Sequence, residues 1–277
     1  MNRGASRTRS ARKLTVLLGV LLGSACGGAD KPAPPASPPA APKAVSSVAE
    51  RLSVRVGAVW PHDPASYTQG LVWDGRNLLE SIGQYGASAL LRVELESGRA
   101  VQRVDLERAM FGEGLALAGD RLIQLTWREH KAFVYGANGF ARVGEAHYDG
   151  EGWGLAFDGA RLWLSDGSDT LTVRDPRTLA VLERRQVTLD GRPRDYLNEL
   201  EWVEGKLYAN VWQSDDILRI DPASGRVEAV IDAAGLLTPE ERASTDVLNG
   251  IAYDPARKVF LITGKLWPKL FEVTFGR

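Results

Sequence analysis

Cysteine occurs once in this chain and histidine three times. With Cys26 alone, no intrachain disulfide can form, and no cysteine nucleophile stands in a catalytic setting. His62, His130 and His147 show no helical or turn spacing that would make them joint zinc ligands, so hydrolysis by a histidine-held metal is not expected. A glycine-rich phosphate loop and a serine nucleophile elbow are also missing. The formal net charge is only −1, and no Lys/Arg block lies beyond the first residues, so nucleic acid is not an expected partner. The apolar run from Leu14 to Leu22 is too short to remain in a bilayer as a spanning helix.

What is present is a chain of 277 residues, 44% of them hydrophobic, enough for one large domain with its own core. Its front end reads as an export signal over residues 1–26. Arg3, Arg7, Arg9, Arg12 and Lys13 precede the apolar run, and the small residues Gly23-Ser24-Ala25 lead to Cys26. That placement resembles a bacterial lipoprotein signal, with Cys26 as the lipidation site. Gly23 stands where such signals prefer Leu, so ordinary secretion with cleavage near Ala25 stays open. The expected location is periplasmic, membrane-anchored or secreted, and contact with a membrane is expected only through a lipid anchor. Residues 27–48 are mostly Pro, Ala and Ser, which cannot bury a core and form a tether.

Over residues 49–277 a short phrase recurs five times: a variable residue, usually Gly, an apolar residue, then an alternating strand. It appears at Gln69-Gly70-Leu71, Glu113-Gly114-Leu115, Trp153-Gly154-Leu155, Asn198-Glu199-Leu200 and Asn249-Gly250-Ile251, at spacings of 44, 40, 45 and 51 residues. Those intervals suit propeller blades of about 40 to 50 residues. After each phrase comes a turn such as Asp74-Gly75 or Asp158-Gly159, a second apolar strand, a third and, in several repeats, a fourth. The last repeat stops after its third strand, and the alternating segment Leu52 to Trp60 has no repeat of its own. The expected fold is therefore all-β, a five-bladed β-propeller whose N-terminal strand joins the last blade and closes the ring. A helical turn or two is expected over Thr238 to Ala243, with Thr238 as cap and Pro239 at the first helical position.

In such a fold the variable residues Gln69, Glu113, Trp153, Asn198 and Asn249 would converge on one channel mouth. Trp127, Trp212 and Lys265, which follow the second strands, would form a second ring beside them. For Asn249 a turn residue satisfying its own backbone is an equal reading. Trp60, Trp73, Trp163 and Trp202 read as packing, His62 as a turn residue, and His130 and His147 as loop or rim residues. Glu113 differs, because it sits between two glycines after Met110-Phe111. A carboxylate among aromatics has a raised pKa and is suited to proton transfer near neutral pH.

Several strings then carry a family likeness: Pro61-His-Asp-Pro-Ala-Ser-Tyr-Thr-Gln-Gly-Leu71, Phe111-Gly-Glu-Gly114, Thr126-Trp-Arg-Glu129, Glu151-Gly-Trp-Gly154, Tyr196-Leu-Asn-Glu-Leu-Glu-Trp202, Asn210-Val-Trp-Gln213, Leu248-Asn-Gly-Ile251 and Thr263-Gly-Lys265. Together they resemble the plant and bacterial glutaminyl-peptide cyclotransferases over about Leu52 to Phe275. The resemblance implies a propeller that needs no metal cofactor and turns the N-terminal Gln of peptides or proteins into pyroglutamate, with loss of ammonia. It implies Glu113 as the catalytic acid and base. Gln69, Asn198 and Lys265 would be polar pocket residues, and Phe111, Trp127, Trp153 and Trp212 aromatic ones. Tyr67 stands where relatives often carry Phe, and Asn249 joins the set through the repeat register. A monomer is expected, and a structural calcium in the channel is compatible with this reading. Two other readings stay open: a calcium-dependent propeller lactonase or esterase, which would need several carboxylates around its metal, and a non-catalytic protein-binding propeller.

Overall fold

The computed structural model describes residues 48–277. The expected export signal, the lipidation site at Cys26 and nearly all of the tether lie outside the described residues.

The chain opens with β1 (Glu50–Pro61), then lays down four-stranded runs in which each strand pairs antiparallel with the next. The first comprises β2 (Thr68–Trp73), β3 (Leu78–Ile82), β4 (Ala89–Val93) and β5 (Ala100–Asp105). The second comprises β6 (Gly112–Ala118), β7 (Arg121–Thr126), β8 (Lys131–Gly136) and β9 (Arg142–His147). A third follows with β10 (Leu155–Phe157), β11 (Leu162–Leu164), β12 (Thr170–Arg174) and β13 (Val181–Gln186), and then a small hairpin, β14 (Thr188–Leu189) with β15 (Arg192–Pro193). The fourth comprises β16 (Leu197–Val203), β17 (Lys206–Val211), β18 (Asp216–Ile220) and β19 (Val227–Asp232). After the helix α1 (Pro239–Arg242), the chain ends with β20 (Leu248–Asp254), β21 (Val259–Gly264) and β22 (Lys269–Gly276).

The final run lacks a fourth strand of its own, and β1 supplies it by pairing antiparallel with β22 from Ser53 opposite Gly276 to Pro61 opposite Lys269. The first residues of β1 also pair in parallel with β19, Glu50 opposite Ala229 through Ser53 opposite Asp232. This contact, not expected from the sequence, fuses two runs into one sheet of eight strands. The helix is as short as expected, and Thr238 caps it in a box with Glu241: the Glu241 N–H donates to Thr238 Oγ1, and the Thr238 N–H donates to Glu241 Oε2.

Each recurring phrase opens one run, and the five phrase strands pack in a circuit: β2 on β6, β6 on β10, β10 on β16, β16 on β20, and β20 back on β2. The usual glycine of the phrase has a steric reason. A Cβ at Gly70 would stand 2.5 Å from the Leu115 nitrogen, and one at Gly114 would stand 2.6 Å from the Leu155 nitrogen. Neighbouring phrase strands approach too closely for any side chain there. The variable residue has a geometric reason as well. In β2, β6, β16 and β20 the ladder to the following strand shifts register across the phrase, between Thr68 and Gly70, Gly112 and Leu115, Leu197 and Leu200, and Leu248 and Ile251. Such irregularities re-aim a side chain out of the ordinary pleat.

Between the runs lies the apolar core. One part gathers Leu71, Leu78, Leu91, Ala252 and Leu261, another Leu115, Leu122 and Phe133. Trp163 is buried and stacks on Trp202, with ring centroids 6.0 Å apart, so both are packing residues, as expected. His62 departs from expectation. It is a buried residue rather than a turn residue, with Nδ1 2.7 Å from the Trp267 carbonyl oxygen and Nε2 3.1 Å from Glu80 Oε1.

Candidate active site

A cavity of about 650 Å³ opens at one end of the phrase-strand circuit. Four of the five variable residues line it: Gln69, Glu113, Trp153 and Asn198. Trp127, Trp212 and Lys265 line it too, as do Phe111 and Tyr67. The fifth variable residue, Asn249, does not reach the cavity. It is buried behind Gln69, where its Nδ2 donates to the Thr68 carbonyl oxygen at 2.9 Å and to Gln69 Oε1 at 3.4 Å. The glycine after it has φ +121°, and Cβ space there is already taken by Thr68 and Thr263.

The polar floor is buried. Gln69, Glu113, Asn198 and Lys265 are each 5% exposed or less. Gln69 Nε2 donates to Glu113 Oε1 at 3.1 Å, which fixes one carboxylate oxygen. Burial drives the Glu113 pKa well above the ordinary carboxylate value; the charge on Lys265 opposes this, while Glu151 and Glu129 add to it. Burial pushes Lys265 the other way, below the ordinary lysine range, against the pull of Glu113 and Asp246. Both groups are thus shifted toward neutrality. The Lys265 ammonium stands 4.9 Å from the centre of the Tyr67 ring, and the Tyr67 hydroxyl donates to Asp246 Oδ2 at 3.0 Å. The backbone locks this corner: the Lys265 N–H donates to the Val247 carbonyl, and the Asp246 N–H to the Lys265 carbonyl.

Two aromatic walls rise from the floor. On one side Phe111 meets Trp127, Tyr85 and Tyr67 at centroid distances of 5.6, 5.3 and 6.4 Å. On the other Trp153 meets Trp212 edge-on at 5.7 Å, and Tyr196 meets Trp212 at 5.7 Å. Backbone bonds set the walls in place, the Trp127 N–H donating to the Phe111 carbonyl and the Trp212 N–H to the Tyr196 carbonyl. The lining also includes Gln84, Arg128, Glu151, Asp166 and Tyr196, none of which the repeat register marks. Arg128, Glu151 and Tyr196 do fall inside the family strings, which was the available signal. Among the described residues no cluster of three or more His, Cys, Asp or Glu is arranged to hold a metal ion.

An all-β scaffold with an acid, a lysine and two amides at the base of an aromatic slot has the make-up of an enzyme site that takes a small polar group. The family model for glutamine cyclotransferase matches residues 33–275, and the chain belongs to that family. It is 42% identical over 226 residues to a glutaminyl-peptide cyclotransferase of Arabidopsis thaliana, covering 79% of this chain and 70% of that protein. The crystal structure of Myxococcus xanthus glutaminyl cyclase superposes with a TM-score of 0.75 at 40% identity, over 82% of this chain and 98% of that one.

Proposed function

We propose that the chain is a glutaminyl-peptide cyclotransferase built as a five-bladed propeller, acting on peptides or proteins that begin with Gln. The observation that carries this reading is Glu113, a buried carboxylate with raised pKa at the base of the aromatic cavity.

The chemistry asks little of the protein beyond placement and proton transfer. The substrate's own α-amine attacks the carbonyl carbon of its side-chain amide, the new C–N bond closes the five-membered lactam, and the old C–N bond breaks to release ammonia. Holding the chain end in the attacking conformer is worth on the order of 7 to 11 kcal/mol. Glu113 takes the proton from the attacking amine and returns it to the departing nitrogen, a double task suited to a carboxyl lifted toward neutral pKa. Gln69 holds one of its oxygens and leaves the other to face the substrate. Lys265 and the amide of Asn198 supply donors for the oxygen that gains charge in the tetrahedral intermediate. Trp127, Trp153 and Trp212 enclose the Gln side chain and exclude water, so cyclisation outruns hydrolysis to Glu. An internal Gln lacks the nucleophile and is no substrate.

Ammonia release from a Gln-Xaa peptide by the purified domain from about residue 48 tests the reading. Release should continue in a metal chelator and fall by about a hundredfold or more in Glu113→Gln. A folded Glu113→Gln protein with near-normal turnover overturns the assigned role. On the sequence of its first residues the chain is also exported with lipid on Cys26, which the mass of the mature N-terminal peptide checks.

A further inference from the structure

The two aromatic walls are joined at one side chain. Glu151 Oε2 accepts the indole N–H of Trp127 at 2.7 Å, from the first wall, and the indole N–H of Trp153 at 3.0 Å, from the second. Its other oxygen, Oε1, accepts from Arg128 Nε at 2.9 Å, and the Arg128 guanidinium lies 3.7 Å from the centre of the Trp127 ring. Glu151 sits in the loop between β9 and β10, and the next residue is tied to the first wall as well: the Gly152 N–H donates to the Trp127 carbonyl. Two tryptophans from different runs therefore share one oxygen atom, and the width of the slot between them depends on it.

We propose that Glu151 is a positioning residue that sets the spacing of the two tryptophan walls and, as a negative charge lining the same cavity as Glu113, acts on that acid. The inference rests on the cyclotransferase reading of this cavity. Its first half follows from hydrogen bonding. An indole N–H is a donor with no second option, and when its acceptor is removed in a half-buried site it either stays unpaired or turns the ring. Neither wall then keeps the position that grips a Gln side chain. Its second half follows from charge. Burial works against the Glu151 anion, but the bonds from Trp153, Trp127 and Arg128 outweigh it and hold the carboxyl below the ordinary range. Glu151 therefore stays ionised over the pH range in which Glu113 titrates. The charges that act on Glu113 are Lys265, which favours its anion, and Glu151 and Glu129, which disfavour it. The phenols of Tyr67, Tyr85 and Tyr148 also feel Glu113 and stay neutral.

Two substitutions in the full chain separate these halves. Glu151→Ala removes both charge and acceptor, and the KM for a Gln-peptide should rise about tenfold or more with a smaller change in kcat. Glu151→Gln keeps an amide oxygen for the indoles and loses the charge. It should recover most of that KM rise, while the acid limb of the kcat/KM profile moves down by roughly half a pH unit, because removing a nearby negative charge lowers the Glu113 pKa. A KM in Glu151→Ala equal to that of the native enzyme overturns the wall-spacing role. An acid limb unmoved in Glu151→Gln overturns the electrostatic role even if Glu151→Ala does not fold. A fall in kcat at constant KM and constant pH profile in both variants, the mark of lost folded protein alone, overturns the proposal entirely. Glu113→Gln serves as the control: if it stays active, the reading of the cavity fails first, whereas an inactive Glu113→Gln beside native-like Glu151 variants refutes only this inference.

Discussion

Glu113 and Glu199 are both buried acids on phrase strands, one in the variable position and the other in the slot that is usually glycine. Their surroundings differ in kind. Glu199 is completely buried, and its two oxygens accept backbone N–H groups from two other strands: the Leu71 N–H donates to Oε1 at 3.2 Å and the Ile251 N–H to Oε2 at 2.9 Å. It replaces the close contact that glycine gives elsewhere in the circuit with a side chain that ties β16 to β2 and β20. Glu113 has one side-chain donor, Gln69, and its remaining oxygen lies at a cavity. Both have pKa values well above the ordinary carboxylate range, chiefly through burial. A raised pKa alone therefore does not mark a reactive acid. What separates the two is whether the lone pairs are already spoken for by the backbone.

The largest expected effect lies on the Glu113 side of this comparison. Glu113→Gln keeps the shape and the contact with Gln69 but removes the proton acceptor, so kcat should fall about 10²- to 10⁴-fold at nearly native stability, read by ammonia release and by urea unfolding. Glu199→Ala should do the reverse. It leaves two buried backbone N–H groups without partners, at about 1 to 3 kcal/mol each, so the urea midpoint should drop sharply while turnover per folded molecule changes far less. Equal losses of activity in the two variants would erase the distinction between a reactive and a structural acid. The pH dependence of stability sharpens it further. An acid whose folded pKa lies above its unfolded value stabilises the fold fully below the unfolded value and loses that contribution as pH rises through the folded one. Glu201, half-buried two residues along β16, accepts from the Tyr253 N–H at 3.1 Å and is pushed up to about 8, mainly by burial. Stability should therefore decline between about pH 4.5 and pH 8, and Glu201→Gln should flatten that decline in unfolding curves.

Much of this arrangement was legible in the sequence because it repeats. The phrase register alone places Gln69, Glu113, Trp153 and Asn198 around one cavity, and the ends of the second strands add Trp127, Trp212 and Lys265. The orphan alternating segment leads to β1 beside β22. What stayed hidden has no period. Asn249 obeys the register yet lies behind Gln69, where its amide donates to the Thr68 carbonyl and to Gln69 Oε1. Glu199 breaks the glycine rule, and nothing local indicates that its partners are strands 128 and 52 residues away. His62 precedes Asp63-Pro64 as turn residues do, but the Glu80 beneath it belongs to another strand. Glu151 lies in a loop between two runs, where side-chain direction is set by long-range contacts that no alternation records.

The smallest effect expected tests how far the catalytic side of the comparison extends beyond Glu113. Tyr67 combines two features of the site: its ring faces the Lys265 ammonium at 4.9 Å, and its hydroxyl donates to Asp246 at 3.0 Å. Burial raises the pKa of that phenol, with Asp246 adding to the shift, so it is neutral at any pH where Glu113 works and cannot supply a base. Tyr67→Phe keeps the ring over the lysine and removes only the bond to Asp246. A hydrogen bond to a charged group contributes about 1.5 to 3 kcal/mol, but only the part felt through Lys265 reaches the reaction, so kcat/KM should fall by no more than about fivefold. Asp246 would then turn more of its charge toward Lys265, so any shift of the alkaline limb should be upward, since an anion nearby favours the ammonium. A loss beyond about a hundredfold would place the hydroxyl among the groups that touch the reacting atoms, and the proton path would then have to run through Asp246 rather than end at Glu113.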